Sequence, residues 1–178
     1  MSLIQNDINE KMRAILIDWL VEVHLKFKLV PETLYLTVNI IDRFLEKVTI
    51  SRQKLQLVGV AAMLIACKYE EIYAPEVKDF VYVTDKTYSR EAILEMEGKI
   101  LSVLKFNITV CTPLRFLERF SQIAKFDERN FMLACYLLEL SLIEYKMLKY
   151  EPSSLACSAI YLVNKIRKRE GWNEEMLQ

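Results

Sequence analysis

Residues Leu57 to Cys67 carry no charge and no polar side chain on any face. Within a helix predicted from Arg52 to Glu71 this run is apolar all round, and such a helix must be buried on every side. It is too short to cross a bilayer, which takes about 20 residues, so its cover has to be other parts of a protein. Gly59, Ala61, Ala62 and Ala66 within it are small enough to let neighbouring helices come close. The chain is therefore expected to wrap a central helix in a bundle.

The rest of the sequence supplies the shell. Only 3 glycines and 4 prolines punctuate 178 residues, which leaves few hairpins and favours long helices. Pro31, Pro113 and Pro152 each stand ahead of a periodic apolar segment, where a first-turn proline belongs. Ser51, Ser89, Thr112 and Asp127 are candidate N-caps. The first helix, from about Ile8 to Leu29, has two apolar stripes: Met12, Ile15, Leu16, Trp19, Leu20, Val23 and Phe27 on one, and Ala14, Ile17, Val21 and Leu25 on another. That is more apolar surface than one core contact needs. Further helices are expected at about Glu32–Glu46, after Pro75, at Arg90–Leu104, Pro113–Ile123, Glu128–Leu148 and Pro152–Lys168. Lys105–Thr112 breaks the periodicity and reads as a linker, with domains 1–107 and 108–178 on either side. Small residues in the last helix, Ala156, Ser158 and Ala159, faintly echo the third.

Composition closes off several classes. Apolar residues make up 53% and aromatics 11%, enough for a real core. Lys+Arg and Asp+Glu both number 24, so the basic excess of a nucleic-acid binder is not visible. The short polar N-terminus does not read as a signal peptide, and the expectation is a nuclear or cytoplasmic protein without a membrane role. Cys67, Cys111, Cys135 and Cys157 are widely spaced and read as reduced thiols. With His24 the lone histidine, no metal site and no cofactor are expected. His24 has no nominated nucleophile beside it. Glu70 and Glu71 diverge as adjacent helical residues and cannot face each other as acid and base; they read as a solvated helix end or a partner contact. The basic stretch Lys165, Arg167, Lys168 and Arg169 suits a helix C-terminus.

The most informative residues are charges on apolar faces. Glu97 lies among Met96, Ile100 and Leu101, and Lys68 ends the most buried run of the chain. Arg13 sits inside the first apolar helix, and Asp42 follows Ile40 and Ile41. A buried unpaired charge costs several kcal/mol, about 3 or more, so partners are expected: Lys68 with Glu97, and Arg13 with Asp42. These could be structural pairs. Alternatively, Lys68 and Glu97 stand where a partner protein later covers them, bonding free backbone groups at the end of its helix.

The same residues resemble the cyclin family. Met12-Arg13-Ala14-Ile15-Leu16 followed by Asp18-Trp19-Leu20-Val21-Glu22 looks like the opening signature of the cyclin box. Asp42-Arg43-Phe44-Leu45, the segments Lys54–Gly59, Cys67–Ile72 and Phe80–Asp85 continue it in order. The match is dense from about Asn6 to Asn107 and weaker to Trp172. It is similar to mitotic A/B-type cyclins and leans to B-type through Leu16–Asp18, Phe27-Lys28 and Lys68-Tyr69.

The resemblance implies an all-α cyclin fold of two helical bundles. The first five-helix box is complete; the second, with about three helices before Gln178, is expected to be truncated. It also implies a non-catalytic regulatory subunit that binds and activates a cyclin-dependent protein kinase and acts at G2/M. Lys68 and Glu97 would then bond one another and the backbone near the kinase αC helix. Ile65, Tyr69, Leu101 and Ile108 would form a pocket for one of its side chains, with Glu70 and Glu71 beside it. Arg13 and Asp42 would brace the box. A substrate-docking patch for Arg-x-Leu-type peptides would comprise Met12, Ile15, Leu16, Trp19, Leu55 and Gln56, with Glu22 and Asp85 taking the basic residue. A nucleic-acid-associated helical factor and a helical enzyme dependent on His24 are the competing readings. Balanced charge and the intact opening motif weigh against the first, and the want of a nucleophile against the second.

Overall fold

The computed structural model describes residues 5–168, and these form eight α-helices, two short 3₁₀ turns and no strand. In chain order the helices are α1 (Glu10–Phe27), α2 (Pro31–Lys47), α3 (Leu55–Glu70), α4 (Val77–Val83) and α5 (Arg90–Val103). They continue with α6 (Pro113–Ile123), α7 (Glu128–Ile143) and α8 (Pro152–Ile166). Of the sequence features above, Arg169 and Trp172 lie outside the described residues. The chain divides into two compact units, 1–110 and 111–178. The division follows Val110 rather than Asn107. Ile108 is buried, and Arg43 Nη2 donates to the Asn107 carbonyl at 2.8 Å, which ties this segment to the first unit.

The first unit is built around α3. Every residue from Leu57 to Cys67 is buried, chiefly against α2 and α5 and more lightly against α1. Burial pushes the Cys67 thiol up to about 12, so it is a packed, protonated side chain. Continuous burial also covers Glu32 to Val38 of α2, where Thr37 satisfies its hydroxyl by donating to the Thr33 carbonyl at 2.7 Å. Gln5 clamps the far end of α2. Its amide nitrogen lies 2.6 Å from the Leu45 and Val48 carbonyls, and its oxygen accepts from the Ile50 N–H.

In the second unit α8 packs against α6 and α7. Its core is formed by Leu114 and Leu117, Ala134 and Leu138, and Ala156, Ala159, Ile160 and Val163. Helix α7 leaves Met132, Tyr136 and Leu140 exposed at i, i+4 and i+8 spacing.

Helix boundaries follow local chemistry with three corrections. Pro31, Pro113 and Pro152 begin their helices, and the side chains of Ser89, Thr112 and Asp127 accept from the third backbone N–H beyond them. Ser51 does not cap α3: it precedes a 3₁₀ turn at Arg52–Lys54 and makes no side-chain cap bond. Helix α7 stops at Ile143, and Tyr145–Lys149 is a separate 3₁₀ turn: Glu144 between them has an extended backbone (φ −78°, ψ 111°), and its carboxylate caps the turn by accepting from the Lys146 N–H at 3.2 Å. The two stripes of α1 do not separate core from surface as expected. Arg13, Leu16, Ile17, Leu20 and Val23 are buried, while Leu25 is exposed.

The helix ends show what the scarcity of glycine entails. Lys28, Lys86, Lys105, Lys125 and Lys168 all take φ between 51° and 58°, the left-handed region in which glycine usually closes a helix. Each side chain instead brings a positive charge to the negative end of the helix dipole. At Lys28 the N–H reaches back to the Leu25 carbonyl at 3.2 Å, and Leu29 N–H to His24 at 3.2 Å. Replacing Lys28 with Gly should raise stability by roughly 1 kcal/mol in chemical denaturation, since relief of the left-handed strain exceeds the lost charge–dipole attraction.

Candidate protein-docking sites

Arg13 is 1% exposed, the most demanding burial of a charge among the described residues. It is held by a two-pronged ion pair in which Nε donates to Asp42 Oδ1 and Nη2 to Asp42 Oδ2, both at 2.7 Å. Burial pushes the Asp42 carboxyl up while the guanidinium pulls it down. The pair fastens α1 to α2, with the arginine enclosed and the Asp42 side chain 17% exposed.

Lys68 and Glu97 are arranged differently. Lys68 Nζ donates to Glu97 Oε1 at 2.7 Å and Oε2 at 2.9 Å, bridging α3 and α5. Glu97 is nearly covered, but the Lys68 side chain is 49% exposed. The pair sits at the rim where α3 leaves its neighbours, and the ammonium keeps donor capacity toward solvent. Around it, Ile65 and Ile108 are buried, Leu101 is half-buried and Tyr69 is exposed. The Tyr69 hydroxyl lies 2.6 Å from Thr109 Oγ1, which fixes the ring beside the pair. Glu70 occupies the same last turn of α3, and beyond it Ile72 and Tyr73 stand almost free in solvent.

Glu71 does something that sequence reading missed. Its Oε1 accepts from the Val30 N–H at 2.8 Å and from Thr33 Oγ1 at 2.6 Å. Val30 is the N-cap residue of α2 and has no capping side chain of its own. A carboxylate from the end of α3 therefore serves as the cap of α2, favoured also by the positive end of that helix's dipole. The solvated-end reading of Glu71 is corrected accordingly. His24 belongs to the same corner, with Nε2 3.1 Å from the Val30 carbonyl.

A second site lies between α1 and the start of α3. Met12, Ile15, Leu16 and Trp19 on α1, with Arg52, Leu55 and Gln56, line an open groove of about 390 Å³. Six of these are the patch residues named from the sequence; Arg52 is an addition. Arg52 is placed by Asp7, whose Oδ1 accepts from Nε and Oδ2 from the Arg52 N–H, both at 2.8 Å. Glu22, one turn beyond Trp19 on α1, and Asp85 after α4 are exposed but do not line the groove.

Comparison with known proteins shows the family. A family model described as "Cyclin, N-terminal domain" matches residues 1–109, and one described as "Cyclin, C-terminal domain" matches residues 111–178. The chain belongs to the cyclin family. It is 60% identical over 157 residues to Cyclin-B2-1 of Oryza sativa subsp. japonica, a match covering 88% of this chain and 37% of that one. It is 50% identical over 171 residues to the G2/mitotic-specific cyclin-B of Dictyostelium discoideum, covering 95% and 39% respectively. This cyclin chain thus spans about two fifths of the length of such relatives. The B-type leaning of its motifs agrees with their names. In fold it is similar to a viral cyclin from herpesvirus saimiri, with a TM-score of 0.84, 22% identity, and coverage of 92% of this chain and 73% of that one. The expected all-α cyclin fold is thereby established.

The capping role of Glu71 is testable in isolation. Glu71→Ala should cost about 1–2 kcal/mol in denaturant unfolding, the loss of a cap and of a charge-assisted bond, and Glu71→Gln should recover part of it.

Proposed function

We propose that this chain is the kinase-binding part of a B-type cyclin, a non-catalytic subunit that activates a cyclin-dependent protein kinase and docks its substrates at G2/M. The observation that carries this reading is the half-exposed Lys68 side chain, its ammonium pinned by Glu97 at the rim of an otherwise apolar surface. A helix end presents free backbone groups in search of partners. Lys68 donates to such carbonyls and Glu97 accepts from such N–H groups, through charge-assisted bonds stronger than neutral ones. Tyr69, Leu101, Ile65 and Ile108 then form the apolar seat for a side chain of the same kinase helix, with Glu70 beside them. Because α3 is packed on every side, this seat is rigid, so binding energy goes into moving the partner rather than the cyclin. Kinase activation needs its αC helix and activation segment held in place.

The groove is the proposed substrate-docking surface. Met12, Ile15, Leu16, Trp19, Leu55 and Gln56 take the apolar residue of an Arg-x-Leu-type peptide, and the exposed carboxylates Glu22 and Asp85 attract its basic residue. No helix among the described residues is long and apolar enough to cross a membrane. The reading places the protein in nucleus and cytoplasm, without nucleic acid as a partner.

Two variants separate the surfaces. Lys68→Ala/Glu97→Ala should lower capture of a cyclin-dependent kinase by about thirtyfold or more, the loss of a central interface anchor of about 2 kcal/mol; undiminished capture would remove the proposed role of the pair. Trp19→Ala should weaken binding of an Arg-x-Leu peptide by about tenfold or more while leaving kinase capture intact, and joint loss of both would mark Trp19 as a folding residue.

A further inference from the structure

The groove owes its depth to a residue that does not line it. Leu16 does line it, yet is only 6% exposed, because its side chain lies down against α3. It lies over Gly59. A Cβ added at Gly59 would stand 2.8 Å from Leu16 Cδ1 and 3.3 Å from both Cδ2 and Cγ. Only a residue without a side chain lets the end of Leu16 occupy this place. A Cβ added at Gly98, in the middle of α5, would meet nothing within 4 Å, so of the two described glycines Gly59 alone makes such an approach.

The direction in which Leu16 would be pushed follows from the packing. Val58, Val60, Ala61, Ala62 and Met63 are at most 1% exposed, and a close-packed interior has no room for a displaced isopropyl group. The space open to it is the groove. We infer that Gly59 is a positioning residue for peptide docking: its missing side chain seats Leu16 and keeps the groove deep enough for a branched apolar side chain of a partner. This rests on the reading of the groove as a site for Arg-x-Leu-type peptides, to which its apolar lining points, with the exposed carboxylates Glu22 and Asp85 lying outside it.

A positioning role differs from plain packing in what should be rescued. In Gly59→Ala, Leu16 is expected to swing into the groove and fill it, while Lys68 and Glu97 at the far end of α3 stay in place. Val at position 16 lacks the terminal methyl groups that would meet the new Cβ.

The test uses a fluorescently labelled synthetic peptide containing Arg-x-Leu, with binding to the full chain followed by fluorescence polarisation and kinase capture measured in parallel. The expected results are a tenfold or greater loss of peptide affinity in Gly59→Ala with unchanged kinase capture, and a loss of less than threefold when Gly59→Ala is added to Leu16→Val, each compared with its own parent because Leu16 lines the groove. If Gly59→Ala alone does not fold, the second comparison decides: Gly59→Ala/Leu16→Val should fold and bind the peptide as Leu16→Val does. Wild-type affinity in Gly59→Ala, or a tenfold loss on adding Gly59→Ala to Leu16→Val, would overturn the inference while Trp19→Ala still reports on the docking reading. No peptide binding by the wild-type chain would remove both together.

Discussion

The constraint on which the rest depends is that α3 has no polar face. Its burial fixes α1, α2 and α5 around it, and it leaves only the two ends of one helix free for work. Leu55 and Gln56 at the start of α3 line the groove, while Lys68, Tyr69 and Glu70 at its end form the rim with Glu97. Sixteen residues of helix separate these ends by roughly 24 Å at 1.5 Å per residue. The two candidate sites are thus held at a set distance by a helix buried continuously from Leu57 to Cys67.

Two ion pairs of similar geometry have opposite placements. Arg13–Asp42 is largely enclosed, its side chains 1% and 17% exposed, whereas Lys68–Glu97 leaves the lysine side chain 49% exposed. An enclosed pair of this kind gains little over an apolar replacement, but loss of one partner would strand a buried charge at about 3–5 kcal/mol. Its value is in fixing one register between α1 and α2. The rim pair is screened by water and contributes little to folding, which leaves its charges available to a partner.

Much of this was legible in the sequence because the signals are local. The 3.6-residue periodicity, prolines at first turns and Ser89, Thr112 and Asp127 as caps each act within one turn of helix. Charges on apolar faces were conspicuous, and sign restricted their partners, so Arg13 with Asp42 and Lys68 with Glu97 could be named. What escaped was long-range or competed with local pattern. Glu71 caps a helix whose first residues lie 41 positions earlier, and nothing at Val30 marks the need. Arg52 reaches the groove because Asp7 holds it there. Tyr145–Leu148 carries apolar residues at a spacing that suits either winding, and the faces of α1 were misdivided because an exposed Leu25 looks like a buried one in a stripe.

The lysines that close the helices have a consequence for how the sequence can drift. Positions 28, 86, 105 and 125 hold a left-handed backbone and their side chains are exposed, so the backbone sets the first limit on what stands there. Glycine and asparagine fit that backbone at little cost, while valine and isoleucine do not. These four corners are therefore expected to vary among small and flexible residues in descendants of this chain and to exclude β-branched ones, a restriction that comes from the backbone.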